Sequence, residues 1–175
     1  MNYADIKNVD VANGPGTRVS LFVSGCNHRC KGCFNQCAWD FNYGEKFTEE
    51  TMEKILNDLD KPYIKRLTLL GGEPLEHENQ KGLLPLVKKV KEKFPEKTIW
   101  CYTGFDFEKD VSGRMMKEWQ ETKELMKYVD VLVDGKFEET KKDLKLRFRG
   151  SSNQRIIDVP KSFEQNTVVM TEFMN

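Results

Sequence analysis

The sequence lacks a long hydrophobic run, an excess of either charge and a recognisable export signal. No apolar stretch approaches the roughly 18 residues that a membrane-spanning helix needs, and the mean hydropathy is −0.64. The 28 Lys and Arg residues cancel the 28 Asp and Glu residues, whereas nucleic-acid binders usually have a basic excess. Residues 1–5 contain no basic stretch followed by an apolar one. We therefore expect a cytoplasmic protein that binds neither membranes nor nucleic acids.

The chain also lacks internal repeats, low-complexity segments and any change of composition that would mark a linker. Its 175 residues fit one domain. With 38% hydrophobic and 11% aromatic residues, the chain has enough apolar surface for a core. We expect a single domain over residues 1–175.

Short apolar segments predict strands, and longer stretches with apolar residues at helical spacing predict helices between them. The predicted strands are residues 17–23, 65–70, 98–102 and 129–133, with a final pair at residues 155–159 and 167–170. The first predicted helix begins at Thr48, a good N-terminal cap, and ends before Pro62. The apolar stripes of the predicted helices are Met52, Ile55, Leu56 and Leu59, then Leu83, Val87, Val90 and Phe94, then Met115, Trp119 and Met126.

Strands that alternate with helices imply parallel βαβ units. A complete eight-unit barrel takes roughly 250 residues, so this chain is too short for one. The expected fold is α/β, a partial, open (β/α) barrel with a mainly parallel sheet. The unusual residues follow predicted strands, at the edge where α/β folds build their sites. These residues are the clustered cysteines, Gly71-Gly72-Glu73-Pro74, Thr103-Gly104 and Asp134-Gly135.

Four of the five cysteines lie within twelve residues, at Cys26, Cys30, Cys33 and Cys37, and the fifth is Cys101. Clustered cysteines in a protein without an export signal indicate a metal or redox site more than a disulfide framework. The first three form a CxxxCxxC array. Three such thiolates can hold three corners of a [4Fe–4S] cluster, and the fourth iron would then be open to a substrate.

Two other interpretations of the array remain open at this point. Zinc could bind the same cysteines, with Cys37 or His28 as the fourth ligand, although structural zinc sites usually combine ligands from two separate loops. Cys37 could instead cap the fourth iron, as in a four-cysteine ferredoxin run, although Ala38 replaces the usual proline. We expect Cys37 to be a bystander, Cys101 to be a small buried apolar residue, and His28 to face solvent or bond locally.

CxxxCxxC after a first strand, followed by GGEP after a second, resembles the signature of radical S-adenosylmethionine enzymes. Within that superfamily the sequence resembles the activating components of anaerobic (class III) ribonucleotide reductases. The matching stretches span nearly the whole chain and are residues 13–18 (NGPGTR), 21–26 (LFVSGC), 32–35 (GCFN), 39–41 (WDF), 71–75 (GGEPL), 102–104 (YTG), 131–135 (VLVDG) and 149–155 (RGSSNQR).

The resemblance implies an oxidoreductase with one [4Fe–4S] cluster, held by Cys26, Cys30 and Cys33, and with S-adenosylmethionine on the fourth iron. One electron then cleaves the sulfonium to methionine and a 5′-deoxyadenosyl radical, which takes a hydrogen atom from a glycine Cα of the partner. The implied partner is the large subunit of an anaerobic ribonucleoside-triphosphate reductase. The implied electron donor is a protein such as a flavodoxin.

The resemblance also implies contacts with S-adenosylmethionine. The residues beside the third cysteine would lie near the adenine, and the GGEP turn would offer backbone groups to the methionine amino end. There we expect the glycines to permit a close backbone approach. Two later strand ends would line the same pocket. The predicted cofactor-binding residues are therefore Gly32, Phe34, Gly71, Gly72, Glu73, Pro74, Thr103 and Asp134.

Alternatives to this function also remain open. The chain could activate another glycyl radical enzyme or act on a small molecule by the same radical chemistry. It could also be a zinc or iron–sulfur module without enzymatic activity. A partial barrel has an open side, so we expect a macromolecular substrate to close the pocket by inserting a loop.

Overall fold

Buried apolar runs form the centre of a seven-stranded sheet in the computed structural model, which describes residues 1–174. The strands are β1 (Asn2–Asp10), β2 (Arg18–Val23), β3 (Glu45–Lys46), β4 (Arg66–Gly71), β5 (Thr98–Tyr102), β6 (Val131–Asp134) and β7 (Arg155–Asp158). Their order in the sheet is β3-β1-β2-β4-β5-β6-β7. Strands β2 and β4 are buried almost throughout, as parallel strands covered on both faces are.

The sheet is parallel at its centre and antiparallel at both sides. The pairs β2–β4, β4–β5 and β5–β6 are parallel, whereas β1 pairs with β2 and β3, and β6 with β7, in antiparallel register. The predicted α/β class is confirmed, and the expectation of a mainly parallel sheet holds for the centre alone. Sequence patterns did not predict β1, most of which is exposed or half-buried.

The strand predicted at residues 167–170 is wrong. This segment meets β7 at a single bridge between Ile157 and Met170. The Val169 amide donates to Ser162 Oγ at 2.9 Å. This amide is therefore not available for a backbone hydrogen bond that would extend the strand pairing. The end of the chain therefore covers β7 without becoming an eighth strand.

Helices fill most of the connections between strands. They are α1 (Glu49–Leu59), α2 (His77–Lys93), α3 (Met116–Glu118), α4 (Gln120–Leu125) and α5 (Val159–Gln165), and a π-helical segment (Phe107–Met115) leads into α3. The Thr48 cap is confirmed, since Thr48 and Thr51 bond each other's backbone amides in a capping box. Among residues 1–174, no helix combines the length and the apolar character that crossing a membrane requires.

The two faces of the central sheet differ in chemistry. Val19 and Leu21 of β2 join the apolar core beneath the helices, while Arg18 lies on the opposite face because side chains alternate along a strand. The buried Arg18 guanidinium stacks 5.2 Å from the Trp100 ring and donates to Thr68 Oγ1 at 2.8 Å. Burial lowers the pKa of Arg18 to about 10. This face, here called the polar inner face, also carries an apolar cluster of Trp100, Val133 and Ile156. Loops cover it, and a cavity opens among them.

We predict that Thr48→Ala lowers the free energy of unfolding by about 1 kcal/mol, because it removes the side-chain cap of α1. Urea unfolding of the purified chain measures this loss. Thr140→Ala is the matched control, since Thr140 is exposed in a surface turn. Equal losses in the two variants would contradict a capping role.

Candidate cofactor site

The carboxyl ends of the parallel strands meet at a cavity of about 400 Å³. The loop after β2, residues 24–38 and here called the cysteine loop, forms one wall. The turn after β4, residues 71–74 and here called the GGEP turn, forms another, and Thr103 and Gly104 after β5 and Gly135 after β6 add to the lining. The chain thus gathers the predicted strand-end motifs at one edge of the sheet, as α/β topology requires.

Three of the clustered cysteines line this cavity and the fourth does not. Cys26 is buried, Cys30 and Cys33 are half-buried, and all three belong to the cavity wall. Burial raises the pKa of the Cys26 thiol to about 11 and also raises the pKa of Cys30, so a bound metal must displace their protons. Cys37 is exposed, with Sγ 3.5 Å from Asn35 Oδ1. This placement supports the prediction that Cys37 is a bystander.

The spacing of the thiols bears on the choice between zinc and a cluster. Among residues 1–174, one group of three His, Cys, Asp or Glu residues has ligand atoms that all lie within 4.8 Å of one another. That group is acidic and lies outside the cavity wall, so it contains none of the three cysteines. The thiols of Cys26, Cys30 and Cys33 are therefore spread more widely. One tetrahedral zinc ion would hold its thiolates about 3.8 Å apart, whereas a [4Fe–4S] cluster binds each thiolate through a different iron. The donor set fits a cluster better.

The GGEP turn packs directly against the cysteine loop. The Glu73 amide donates to the Gly25 carbonyl at 2.8 Å, and a Cβ at Gly72 would lie 2.7 Å from that same oxygen. Gly71 has a φ of +107°, which residues with a side chain rarely adopt. The sequence analysis predicted that the glycines permit a close approach. The structure shows such an approach, and the neighbour is the protein's own cysteine loop.

The first turn of α2 holds both loops from below. Asn79 is buried, and its Nδ2 donates to the carbonyls of Ser24 and Glu73, each at 2.9 Å. Glu76, at the helix N-terminus, accepts the Asn27 amide at 2.9 Å. Because these contacts bind backbone groups, they fix the path of the cysteine loop near its first cysteine.

The Glu73 carboxylate joins three segments of the site. Its Oε1 accepts the Leu75 amide and the Thr103 hydroxyl, both at 2.8 Å. Its Oε2 accepts the Gly104 amide at 2.7 Å and lies 2.7 Å from His28 Nε2. The side chain is 1% exposed, and both oxygens are already bonded within the protein. Glu73 therefore positions its neighbours, and its side chain has no oxygen left to hold a ligand.

His28 is a site residue that sequence reasoning missed. The expectation that it faces solvent or bonds locally is wrong, because its side chain is 8% exposed and reaches Glu73, 45 positions away in the chain. Its ring also lies edge-on to Phe105, with 4.5 Å between centroids. The signal in the sequence was a histidine between two cysteine ligands, in a chain with only two histidines.

The structure brings together most of the predicted site residues and leaves three outside. Those on the cavity wall are Cys26, Cys30, Cys33, Phe34, Gly71, Gly72, Glu73 and Thr103. Gly32 instead faces Glu139, whose Oε1 would lie 2.9 Å from a Cβ at that position. Pro74 is buried in its turn, off the cavity wall.

Asp134 is the third of these residues, and the prediction that it lines the cavity is wrong. Its buried carboxylate accepts the Phe107 amide at 2.9 Å and two bonds from Arg155, at 3.0 and 2.5 Å. Arg155 also donates to both oxygens of Glu108, which lowers the pKa of Glu108. Asp134 thus belongs to an ion-pair network that ties β7 to the π-helical segment.

Other wall residues come from stretches to which the sequence analysis gave no role. Asn13 lies in the NGPG stretch and Gln154 in the GSSNQR stretch. Tyr102 ends β5 and donates its hydroxyl to the Phe148 carbonyl at 2.8 Å. Tyr102 and Phe148 both line the cavity. These loops cover the polar inner face of the sheet and complete the pocket.

We predict that Glu73→Gln destabilises the metal-free chain by about 2 kcal/mol, because an amide cannot accept all of the bonds that the carboxylate accepts. Urea unfolding measures the loss, and iron analysis after reconstitution should show less bound iron. Glu78→Gln, an exposed residue of α2, is the control. A Glu73→Gln chain with the stability and iron content of this control would refute the assigned role.

Comparison with known proteins agrees with this geometry. The model of the 4Fe-4S single cluster domain family matches residues 12–157. The chain is 46% identical to the anaerobic ribonucleoside-triphosphate reductase-activating protein of Enterobacteria phage T4 over 156 residues, 89% of this chain and 93% of the phage protein. It is 46% identical to that of Vibrio cholerae serotype O1 (89% and 97% covered) and 42% identical to that of Escherichia coli K12 (88% and 96% covered). The chain belongs to the family of anaerobic ribonucleoside-triphosphate reductase-activating proteins.

Proposed function

We propose that this protein is an iron–sulfur activase that installs a glycyl radical on an anaerobic ribonucleoside-triphosphate reductase. The observation that carries the proposal is the cavity wall itself, on which the three cysteines of CxxxCxxC face the GGEP turn. Relatives that match nearly the whole chain are named as activating proteins of that reductase. The protein is then an enzyme whose substrate is another protein.

Cys26, Cys30 and Cys33 would hold the [4Fe–4S] cluster, and the open cavity beside them would hold S-adenosylmethionine. When bound, the two groups supply an electron and a 5′-deoxyadenosyl radical, which takes a hydrogen atom from a glycine Cα and leaves a glycyl radical, 5′-deoxyadenosine and methionine. The cavity volume of about 400 Å³ lies in the range of small-molecule sites.

The titratable groups of the cavity wall favour radical chemistry over acid–base chemistry. Among the described residues that line the cavity there is one glutamate and one histidine, and neither an aspartate nor a lysine. Glu73 and His28 bond each other, and Glu73 accepts three further bonds. No carboxylate on this wall is therefore left to act as a general base, and hydrogen-atom transfer needs none.

The remaining wall residues suggest how the second cofactor is held. Because the Glu73 side chain is fully bonded, we assign the methionine end to backbone groups of Gly71 and Gly72. Phe34 lines the cavity beside Cys33, which supports the adenine contact predicted for it. Gly32 and Pro74 would then shape the two loops and make no contact with the cofactor. We further propose that the polar inner face of the sheet is the interior of a partial, open barrel of the radical S-adenosylmethionine type.

The cellular setting follows from the chemistry of the reaction. The partner would be the large subunit of the reductase, and a low-potential protein such as a flavodoxin would supply the electron. We place the reaction in the cytoplasm, where thiols remain reduced and a cluster with an open iron can persist.

We predict that alanine at Cys26, Cys30 or Cys33 abolishes both cluster binding and the cleavage of S-adenosylmethionine, because each thiolate holds a different iron. The measurements are iron and sulfide per chain after anaerobic reconstitution, and 5′-deoxyadenosine by chromatography after reduction. Cys37→Ala is the control and should behave as wild type, since Cys37 lies outside the cavity wall. Loss of cleavage in this control too, or full cleavage without a wall cysteine, would refute the assignment.

We also predict that the cognate reductase accelerates the formation of 5′-deoxyadenosine and gains a glycyl radical, because it closes the open cavity and supplies the hydrogen atom. Electron paramagnetic resonance of the mixture detects the radical. A different glycyl radical enzyme, tested in parallel, should give no signal. A signal on that enzyme alone would assign the protein to another partner.

A further inference from the structure

The most exposed apolar side chains lie on the cavity wall or within two residues of a wall residue in the chain. Phe34 is 95% exposed, Leu144 90% and Val11 67%, the three highest values among the large hydrophobic residues of the described chain. Phe34 is itself on the cavity wall, Leu144 lies two residues before the wall residue Leu146, and Val11 directly precedes the wall residue Ala12. Single exposed apolar residues are common, but three on or next to the wall of one cavity indicate a surface that another molecule covers.

Two segments that supply residues of the cavity wall have a positive net charge. The cysteine loop contains two cations and no acidic residue, and residues 136–149 contain six cations and three acidic residues. Eight cations against three anions give this region a net charge of +5, in a chain whose total is +0. The rest of the chain is therefore acidic by the same amount, so the positive charge is concentrated in these two segments, which both supply residues of the cavity wall.

Part of this charge is free to meet a partner. Residues 139–145 are all exposed. Lys141 pairs with Glu138 at 2.7 Å, and Lys31 lies 3.9 Å from Glu139. By contrast, Lys142 and Lys145 form no ion pair with any residue in the range 1–174. These two lysines flank the exposed leucine on the same segment.

We propose that the cavity rim, defined as Val11, Phe34, Leu144, Lys142 and Lys145, is the docking surface for an acidic segment of the reductase that presents the target glycine. The proposal rests on the proposed function and adds the location and chemistry of the contact. The partner's acidic side chains would pair with the lysines, and its apolar side chains would cover the three exposed residues of the rim. A second copy of this chain fits less well, because two rims of the same charge repel each other.

This arrangement suits a reaction that must exclude water. Opposite charges steer the reductase to the opening and set its orientation, which accelerates association in a salt-dependent way. The apolar residues then bury surface around the opening and keep solvent out of the cavity. Apart from Phe34, which also lies on the cavity wall, the rim residues lie outside that wall, so they act before the chemistry and leave the cofactor contacts unchanged.

The test is the affinity of the reconstituted activase for the purified cognate reductase, measured by isothermal titration calorimetry at several sodium chloride concentrations. We expect Lys142→Glu/Lys145→Glu to weaken binding about tenfold at low salt and to reduce its salt dependence. The control, Lys54→Glu/Lys93→Glu, makes the same charge change at exposed helix positions away from the cavity wall and should bind like wild type. Leu144→Ser should weaken binding and keep the wild-type salt dependence.

Two further measurements separate this proposal from the proposed function. Iron content and the slow cleavage of S-adenosylmethionine without reductase should be the same in all these chains and in wild type. If wild type itself cannot cleave S-adenosylmethionine, the proposed function fails. If cleavage is normal and the rim variants bind like the control, the docking surface is wrong and the function stands. A wild-type dimer in analytical ultracentrifugation that Lys142→Glu/Lys145→Glu dissociates would also overturn the proposal, since the rim would then join two copies.

Discussion

The buried Glu73 carboxylate is the interaction on which the site depends. Its two oxygens hold the GGEP turn, the end of β5 and the histidine of the cysteine loop at distances of 2.7 to 2.8 Å. A carboxylate that is 1% exposed is stable only because each oxygen accepts such bonds. The same bonds fix the relative positions of the strand ends. A cofactor would therefore bind to a cavity wall whose loops these hydrogen bonds already hold in position.

The site combines closely packed loops with an exposed segment. Asn79 and the close approach of Gly72 hold the two loops together, while residues 139–145, which begin beside the cysteine loop at Gly32, are exposed to solvent. The proposed radical chemistry needs both properties. The reactive groups would be held in line, and the entrance would admit part of the proposed partner, which then seals it.

Residues that look equivalent in the sequence have different tasks in the fold. Glu73 lies just after β4 and Asp134 is the last residue of β6, and both are buried carboxylates. Glu73 bonds the loops of the cavity, whereas Asp134 bonds Arg155 and stabilises the far side of the sheet. Cys37 continues the cysteine spacing, yet its exposed thiol contacts Asn35 outside the cavity wall. A position at the end of a strand, or in a regular cysteine spacing, indicates that a residue can reach a site. Whether its side chain lies in the site depends on how the surrounding residues pack.

The amino-acid sequence by itself determined the α/β class, the central strands, the Thr48 cap, the cysteine cluster and the gathering of strand ends at one edge, because each of these depends on local pattern or on general rules of topology. It did not determine the largely exposed strand β1, the failure of residues 167–170 to form a strand, or the partners of His28 and Asp134. Those depend on contacts between residues far apart in the chain, such as the 45 positions between His28 and Glu73. The tertiary structure decided them, because burial and hydrogen-bond partners exist only once the loops have packed together.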